Sequence, residues 1–310
     1  MSRRPWAGIL LCLLFLSAGS QARTLTVGEN RAFKTPSAAA AVARDGDRIE
    51  IQPGSYFDCA VWTANRLTIE GTGDPDKVVI ADRTCQGKAL FITVGEGITI
   101  RNLTLTRARV PDGNGAGIRA EGRDLVVERV RFVDNENGLL SGTAGGTIVI
   151  RDSLFDRNGT CLHACAHGVY VGQLDLLHIE NTRFVGTREG HHIKSRAWRT
   201  EVVGCTIEDG PDGTASFEVE LPNGGSLLAR GNTMRKGPKS ENHGAMISIG
   251  AEGVTHPTPE IVVEDNTAHS DGQWDTYFLR NTATTEAVLR GNRLSGALKA
   301  LRGPGRVTPP

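Results

Sequence analysis

Aromatic residues make up only 5% of this 310-residue chain, with 3 Tyr and 3 Met. A chain so poor in large rings must fill most of its interior with small and branched aliphatic side chains. Charge of either sign is not in excess, since 35 Lys and Arg balance 35 Asp and Glu. That balance speaks against a nucleic-acid partner, which would require a basic field. Beyond the N-terminal segment no apolar run approaches the roughly 20 residues of a membrane-spanning helix. What the chain has in plenty is glycine, 38 residues, as a fold with many tight turns requires.

The N-terminal segment reads as a leader. Arg3 and Arg4 precede an apolar run over 7–16, and Ser20-Gln21-Ala22 resembles an A-x-A cleavage site. The pattern predicts a signal peptide over 1–22, a single domain over 23–303 and a disordered tail over 304–310. Export follows, to the periplasm or the outside, with no membrane span after cleavage. In that oxidising setting Cys59 is expected to pair with Cys85, and Cys161 with Cys165. Zinc held by Cys161, His163, Cys165 and His167 is the competing reading of the second pair. Cys205 is expected to be a buried, unreactive thiol.

Internal repetition decides the fold. The turn-type residues Asn102, Arg129, Asp152, Asn181, Gly204, Gly231, Asp265 and Gly291 are separated by 27, 23, 29, 23, 27, 34 and 26 residues. Positions four before, two before and three after each of them are apolar in 23 of 24 cases, against 39% for the whole chain. Such alternation marks a strand with one buried face. Each unit is too short to bury that face alone, so successive units must stack. Asn232, Asn266 and Asn292 each follow a turn residue, as a ladder of amides bonded from coil to coil would require. A third strand follows in most units. The expectation is an all-β, right-handed, single-stranded parallel β-helix of about ten coils, right-handed because parallel crossovers are. Residues 35–43 predict a short alanine-rich helix that caps the open end.

The run 35–56, with Gly46-Asp47-Arg48-Ile49 and Pro53-Gly54-Ser55-Tyr56, resembles the first coil of pectin-lyase-like β-helix proteins. Gly190-His191-His192-Ile193-Lys194-Ser195-Arg196 and residues 215–225 look like exported bacterial proteins known only by their right-handed β-helix repeat. With the coils, the resemblance covers nearly the whole mature chain. It implies the fold firmly and the chemistry poorly, because this fold hosts lyases, hydrolases, esterases, epimerases and binding modules. The paired aspartates of galacturonan hydrolases are missing here. Lyases of this fold often use calcium, so calcium stays open, although no column of aspartates stands out and no other cofactor is expected.

Equivalent residues of stacked coils lie about 4.8 Å apart, which turns the alignment into a map. With Val169, Ile193, Val219 and Ile247 pointing inward, Tyr170, Lys194, Glu220 and Ser248 form an outward column. Gly168, His192, Glu218 and Met246 are expected to form a parallel column on the same face. The candidate catalytic residues are therefore Tyr170, His192, Lys194, Glu218 and Glu220, with His167, His191, Arg196 and Asn223 binding substrate. β-Elimination in a uronate chain needs a cation for the carboxylate, a base for the C5 proton and an acid for the leaving oxygen. Lys194 and Arg196 supply charge, His192 or Lys194 the base, and Tyr170 the acid. Hydrolysis would instead use Glu218 and Glu220, roughly 6–7 Å apart by strand rise. The bland alternative is a row of cross-strand charge pairs on a solvated sheet. Trp62, Trp198 and Trp274 are expected to pack loops, with sugar stacking as the alternative. The long segment holding Lys236, Asn242 and His243 could wall the face. The expected function is a monomeric, carbohydrate-active protein acting on acidic polysaccharide, a lyase ahead of a hydrolase. A non-catalytic glycan or envelope-binding module, or a structural solenoid, is the alternative.

Overall fold

The computed structural model describes residues 22–142 and 145–310. The leader expected over 1–22 therefore lies, but for residue 22, outside the described residues. From residue 48 the chain runs repeatedly through three parallel sheets. The first has twelve strands, beginning Thr24–Val27, Arg48–Ile51 and Thr68–Gly71. The second has ten, from Gly54–Tyr56 to Arg293–Gly296, and the third has ten, from Ala60–Trp62 to Leu298–Arg302. Every strand of these three sheets pairs in parallel with its counterpart one coil away, which is a parallel β-helix of ten full coils among the described residues.

All eight turn residues used as repeat markers have positive φ, from 48° at Asn181 to 65° at Gly231. The left-handed kink turns the chain from the first sheet into the second, and Asn, Asp and Gly accept that conformation at least cost. The amide ladder forms beside it. Asn232 donates from its backbone and side chain to Asn266 Oδ1, both at 2.9 Å. Asn266 does the same to Asn292 Oδ1 at 3.0 and 2.9 Å. A second pair, Asn135 and Asn158, bonds likewise at the corner between the second and third sheets.

The interior holds stacked columns of Ile, Val, Leu and Ala, together with one row of rings. Phe132, Phe155 and Phe184 stack at centroid separations of 4.4 and 4.7 Å. The helix is shorter than expected, Pro36–Ala40, capped by Thr35, whose hydroxyl accepts from the Ala38 amide. Thr24–Val27 pairs with Arg48–Ile51 and extends the first sheet. The tail corrects the sequence reading: Gly305–Thr308 is a strand paired with Ala287–Arg290. Its apolar content is slight, but the exposed ladder edge of Ala287–Arg290 satisfies its backbone groups.

Both disulfides form, Cys59–Cys85 and Cys161–Cys165. The second consumes the thiolates zinc would need, and among the described residues no cluster of three or more His, Cys, Asp or Glu is placed to hold a metal ion. Cys205 is buried and its thiol is pushed up to about 11 by that burial, so it is inert. No helix among the described residues is long and apolar enough to cross a membrane.

Candidate functional site

The outward column lies on the third sheet as the repeat predicts. Tyr170 is in register with Lys194, Lys194 with Glu220, Glu220 with Ser248, and Ser248 with Arg280. The Lys194 ammonium lies 3.4 Å from Glu220 and 2.8 Å from Glu252. It also stands 5.6 Å from the centre of the Tyr170 ring, within cation–π range. Arg196 is fully engaged. Its Nε donates to the Tyr170 hydroxyl oxygen at 3.0 Å, one terminal nitrogen donates to Asn223, and the other lies 2.7 Å from Glu252. Because the Tyr170 oxygen accepts from Arg196, its own proton is left free to be donated elsewhere.

Two stacked histidines complete the site. The His167 and His191 rings are 4.7 Å apart, and the His191 amide donates to His167 Nδ1 at 2.9 Å. Burial holds His167 well below its ordinary pKa, helped by the charges of His191, Lys194 and Arg196, so it is a neutral imidazole protonated on Nε2. His191 Nε2 lies 2.9 Å from Glu220. Burial alone would raise the Glu220 carboxyl. The contact with His191 and the charges of His191 and Lys194 outweigh it, so the group stays ionised below the usual carboxylate range. An open pocket of about 400 Å³ is lined by His167, Tyr170, His191, Lys194, Ser216 and Glu241. The Glu241 carboxyl is raised, first by burial and then by the charge of Glu189.

Two expected members of the site are elsewhere. His192 and Glu218 are fully buried and face the interior. The reason is a break in the alternation along the third sheet. His191 pairs with Phe217 and Ile193 with Val219, while the residues between them leave the ladder and turn into the corner with the second sheet. Earlier coils show why. A Cβ at Gly117 would come 2.8 Å from Phe132, and one at Gly138 would come 2.5 Å from Phe155. Glycine makes room for the ring row there. Where that row ends, at Phe184, His192 fills the corner, 6.3 Å from the ring. Thr187 Oγ1 lies 2.7 Å from His192 Nδ1, and Asp209 lies 2.8 Å from its Nε2. One coil on, Lys236 lies 3.3 Å from Glu218 and donates to the Ser216 carbonyl at 2.9 Å. Burial pushes the Glu218 carboxyl up, to about 8, with Lys236 pulling against it and Asp209 adding to the rise. Lys236 is therefore a core residue and not a wall of the face. No carboxylate pair of Glu218 with Glu220 exists on one surface, because the two point to opposite sides of the sheet.

Residues the sequence reading passed over are Glu252, Phe217, Glu241 and Arg280. Arg280 was reachable by extending the outward column one coil. Glu252 was not, because it sits in the aperiodic segment of the 34-residue unit. Of the tryptophans, Trp62 is buried at the core, whereas Trp198 is partly exposed and lies 4.5 Å from the His256 ring. Trp274 is also exposed, its ring tilted against that of His243 at a centroid separation of 3.5 Å.

Residues 160–300 match the family model described as the right handed beta helix region. Among solved structures, the alginate lyase from Paenibacillus sp. str. FPU-7 is similar over 91% of this chain and 99% of its own, with a TM-score of 0.66 and 16% identity. Pectate lyase Pel9A is similar over 92% and 79%, with a TM-score of 0.51 and 14% identity. The catalytic unit of the GH87 alpha-1,3-glucanase from Streptomyces thermodiastaticus strain HF3-3 follows over 87% and 61%, with a TM-score of 0.51 and 16% identity. No curated protein matches. At such identities the likeness is one of fold, and this chain has the right-handed parallel β-helix fold.

Proposed function

We propose that this chain binds an acidic, uronate-containing polysaccharide along the outer face of the third sheet and cleaves it by β-elimination. The observation that carries this reading is the gathering of Lys194, Tyr170, His167 and His191 around one open pocket, with Arg196 bonded to Tyr170 beside it. Lys194 and Arg196 supply positive charge for the sugar carboxylate. The Tyr170 proton, released from competition by Arg196, goes to the leaving oxygen. With His192 in the interior, the base for the C5 proton is Lys194, the other group named for it, and His191 stands beside it with its Nε2 2.9 Å from Glu220. The acidic polymer itself is suggested by the alginate lyase and the pectate lyase of like fold. Export belongs to the same proposal and is supported by the leader-like sequence over 1–22 and by two disulfides.

Glu252 has a specific part in this reading. Its half-exposed carboxylate bridges Lys194 and Arg196 at 2.8 and 2.7 Å, where a uronate carboxylate would bind. Substrate must therefore replace Glu252 between the two cations. The same observation favours a second reading, a glycan-binding module without chemistry, because both cations are already neutralised in the free protein. Calorimetric titration with acidic and neutral polysaccharides, using the wild type and Lys194→Ala, tests the site. Binding confined to acidic polymers and lost in Lys194→Ala is the expected result. Equal binding of neutral polymers, or binding indifferent to Lys194→Ala, would remove the proposal.

A further inference from the structure

The outward column does not end at the pocket. It continues from Ser248 to Arg280 and from Arg280 to Arg302, which are register partners on adjacent strands. Two like charges placed directly opposite each other on neighbouring strands cost stability. Along the second sheet arginines are compensated: Arg107 by Asp82, Arg183 by Glu208, Arg235 by Asp271. Among the described residues neither Arg280 nor Arg302 has a carboxylate within 4.0 Å. Arg280 spends one terminal nitrogen on Ser248 Oγ, at 2.9 Å, and its buried Nε has no partner.

Both guanidinium groups are instead held by rings. Arg280 stands 5.5 Å from the centre of Phe217, and Arg302 stands 5.8 Å from that of Tyr277. An aromatic support of this kind fixes a guanidinium without consuming its in-plane N–H donors, which are the ones that grip a carboxylate bidentately. The two arginines share an open pocket of about 460 Å³ with Gly250, Asn281 and Thr282. Phe217 in turn is 5.1 Å from the His191 ring, so the arginine pair and the first pocket belong to one continuous surface.

We propose that Arg280 and Arg302 form a second anion subsite, which takes a further carboxylate of the same acidic oligosaccharide that occupies the Lys194 pocket. The register sets its distance. Three coil steps separate Lys194 from Arg280, which is about 14 Å at about 4.8 Å per step. A disaccharide cannot span that gap and an oligomer can, so the site reads the length of its ligand and lays the sugar chain along the helix axis. This inference rests on the acidic-polysaccharide reading of the first pocket.

Calorimetric titration of the full chain with a uronate disaccharide and a uronate hexasaccharide tests it, using the wild type and the Arg280→Gln/Arg302→Gln double variant. The wild type is expected to bind the hexasaccharide at least about tenfold more tightly than the disaccharide. The double variant is expected to keep the disaccharide affinity and lose that gain, with a shallower dependence on salt. Thermal denaturation without ligand should show the double variant as stable as the wild type or more so, since a like-charge contact has been removed. A hexasaccharide affinity unchanged in the double variant, while the wild type binds both ligands, overturns the second subsite and leaves the first pocket standing. A wild type that binds neither ligand overturns both.

Discussion

Replacing Lys236 by methionine isolates the buried pair behind the candidate site. Lys236 and Glu218 have side-chain exposures of 3% and 0%, and they meet at 3.3 Å. Removing one member of such a pair typically costs about 3–5 kcal/mol, because the other is left as an uncompensated charge. The cost here depends on pH, because burial raises the Glu218 carboxyl to about 8. A carboxyl raised in the folded state contributes stability that is complete below its unfolded value and is lost as pH rises through the folded one. Below that range Glu218 carries its proton, and Lys236→Met removes only packing and the bond to the Ser216 carbonyl. Above it, the variant must either bury a bare carboxylate or take up a proton. The expected destabilisation is therefore larger at pH about 9 than at pH about 5, by about 1.4 kcal/mol for the one pH unit that separates pH 9 from the Glu218 value. Thermal denaturation followed by circular dichroism at the two pH values measures it, with Glu218→Gln/Lys236→Met as the companion that removes both charges and should recover most of the loss. A penalty of equal size at both pH values, or one larger in acid, would refute the reasoning.

Glu252→Gln removes the internal carboxylate between Lys194 and Arg196, and calorimetry should show acidic oligosaccharides bound a few-fold more tightly, since each half-exposed ion pair is worth about 0.2–1 kcal/mol. His192→Asn should lower the denaturation midpoint while the folded fraction keeps its affinity for acidic oligosaccharide, because His192 contacts Thr187 and Asp209 and has no exposed surface; unchanged stability with lost binding would return His192 to the site. Paired Cys59→Ser and Cys85→Ser substitutions open a cross-link of sequence separation 26 and should cost about 3–4 kcal/mol by loop entropy. Asn266→Ala removes the middle of the amide ladder and should destabilise by about 1–3 kcal/mol, the scale for unsatisfied buried polar groups, as read from the thermal midpoint.

The sequence carried the fold because each local signal agreed with the others. The repeat markers are the left-handed turns, the apolar positions around them are the core columns, and Asn232, Asn266 and Asn292 form the ladder. The outward column from Tyr170 to Ser248 was legible for the same reason, since register fixes which residues are neighbours. Strict alternation failed at His192 and Glu218. Their inward turn answers to the size of side chains on a different sheet, where the phenylalanine row ends, and no pattern within the strand reports that. Glu252 escaped because the segment between Ala245–Ile249 and Ile261–Glu264 has no period, so its carboxylate could not be placed in space before the chain was folded. The tail strand Gly305–Thr308 was hidden by its prolines and glycines, yet it pairs because the last coil offers an open edge.

The measurement that bears most directly on the central claim is the ultraviolet absorbance of the unsaturated uronate that elimination creates. It would be followed while the wild type, Lys194→Ala and Tyr170→Phe are incubated with a panel of acidic polysaccharides. The account predicts a rise with the wild type on at least one of them, abolished in Lys194→Ala and strongly slowed in Tyr170→Phe. A rise that persists undiminished in both variants would place the chemistry away from this pocket, and no rise with any polymer would contradict the lyase reading outright.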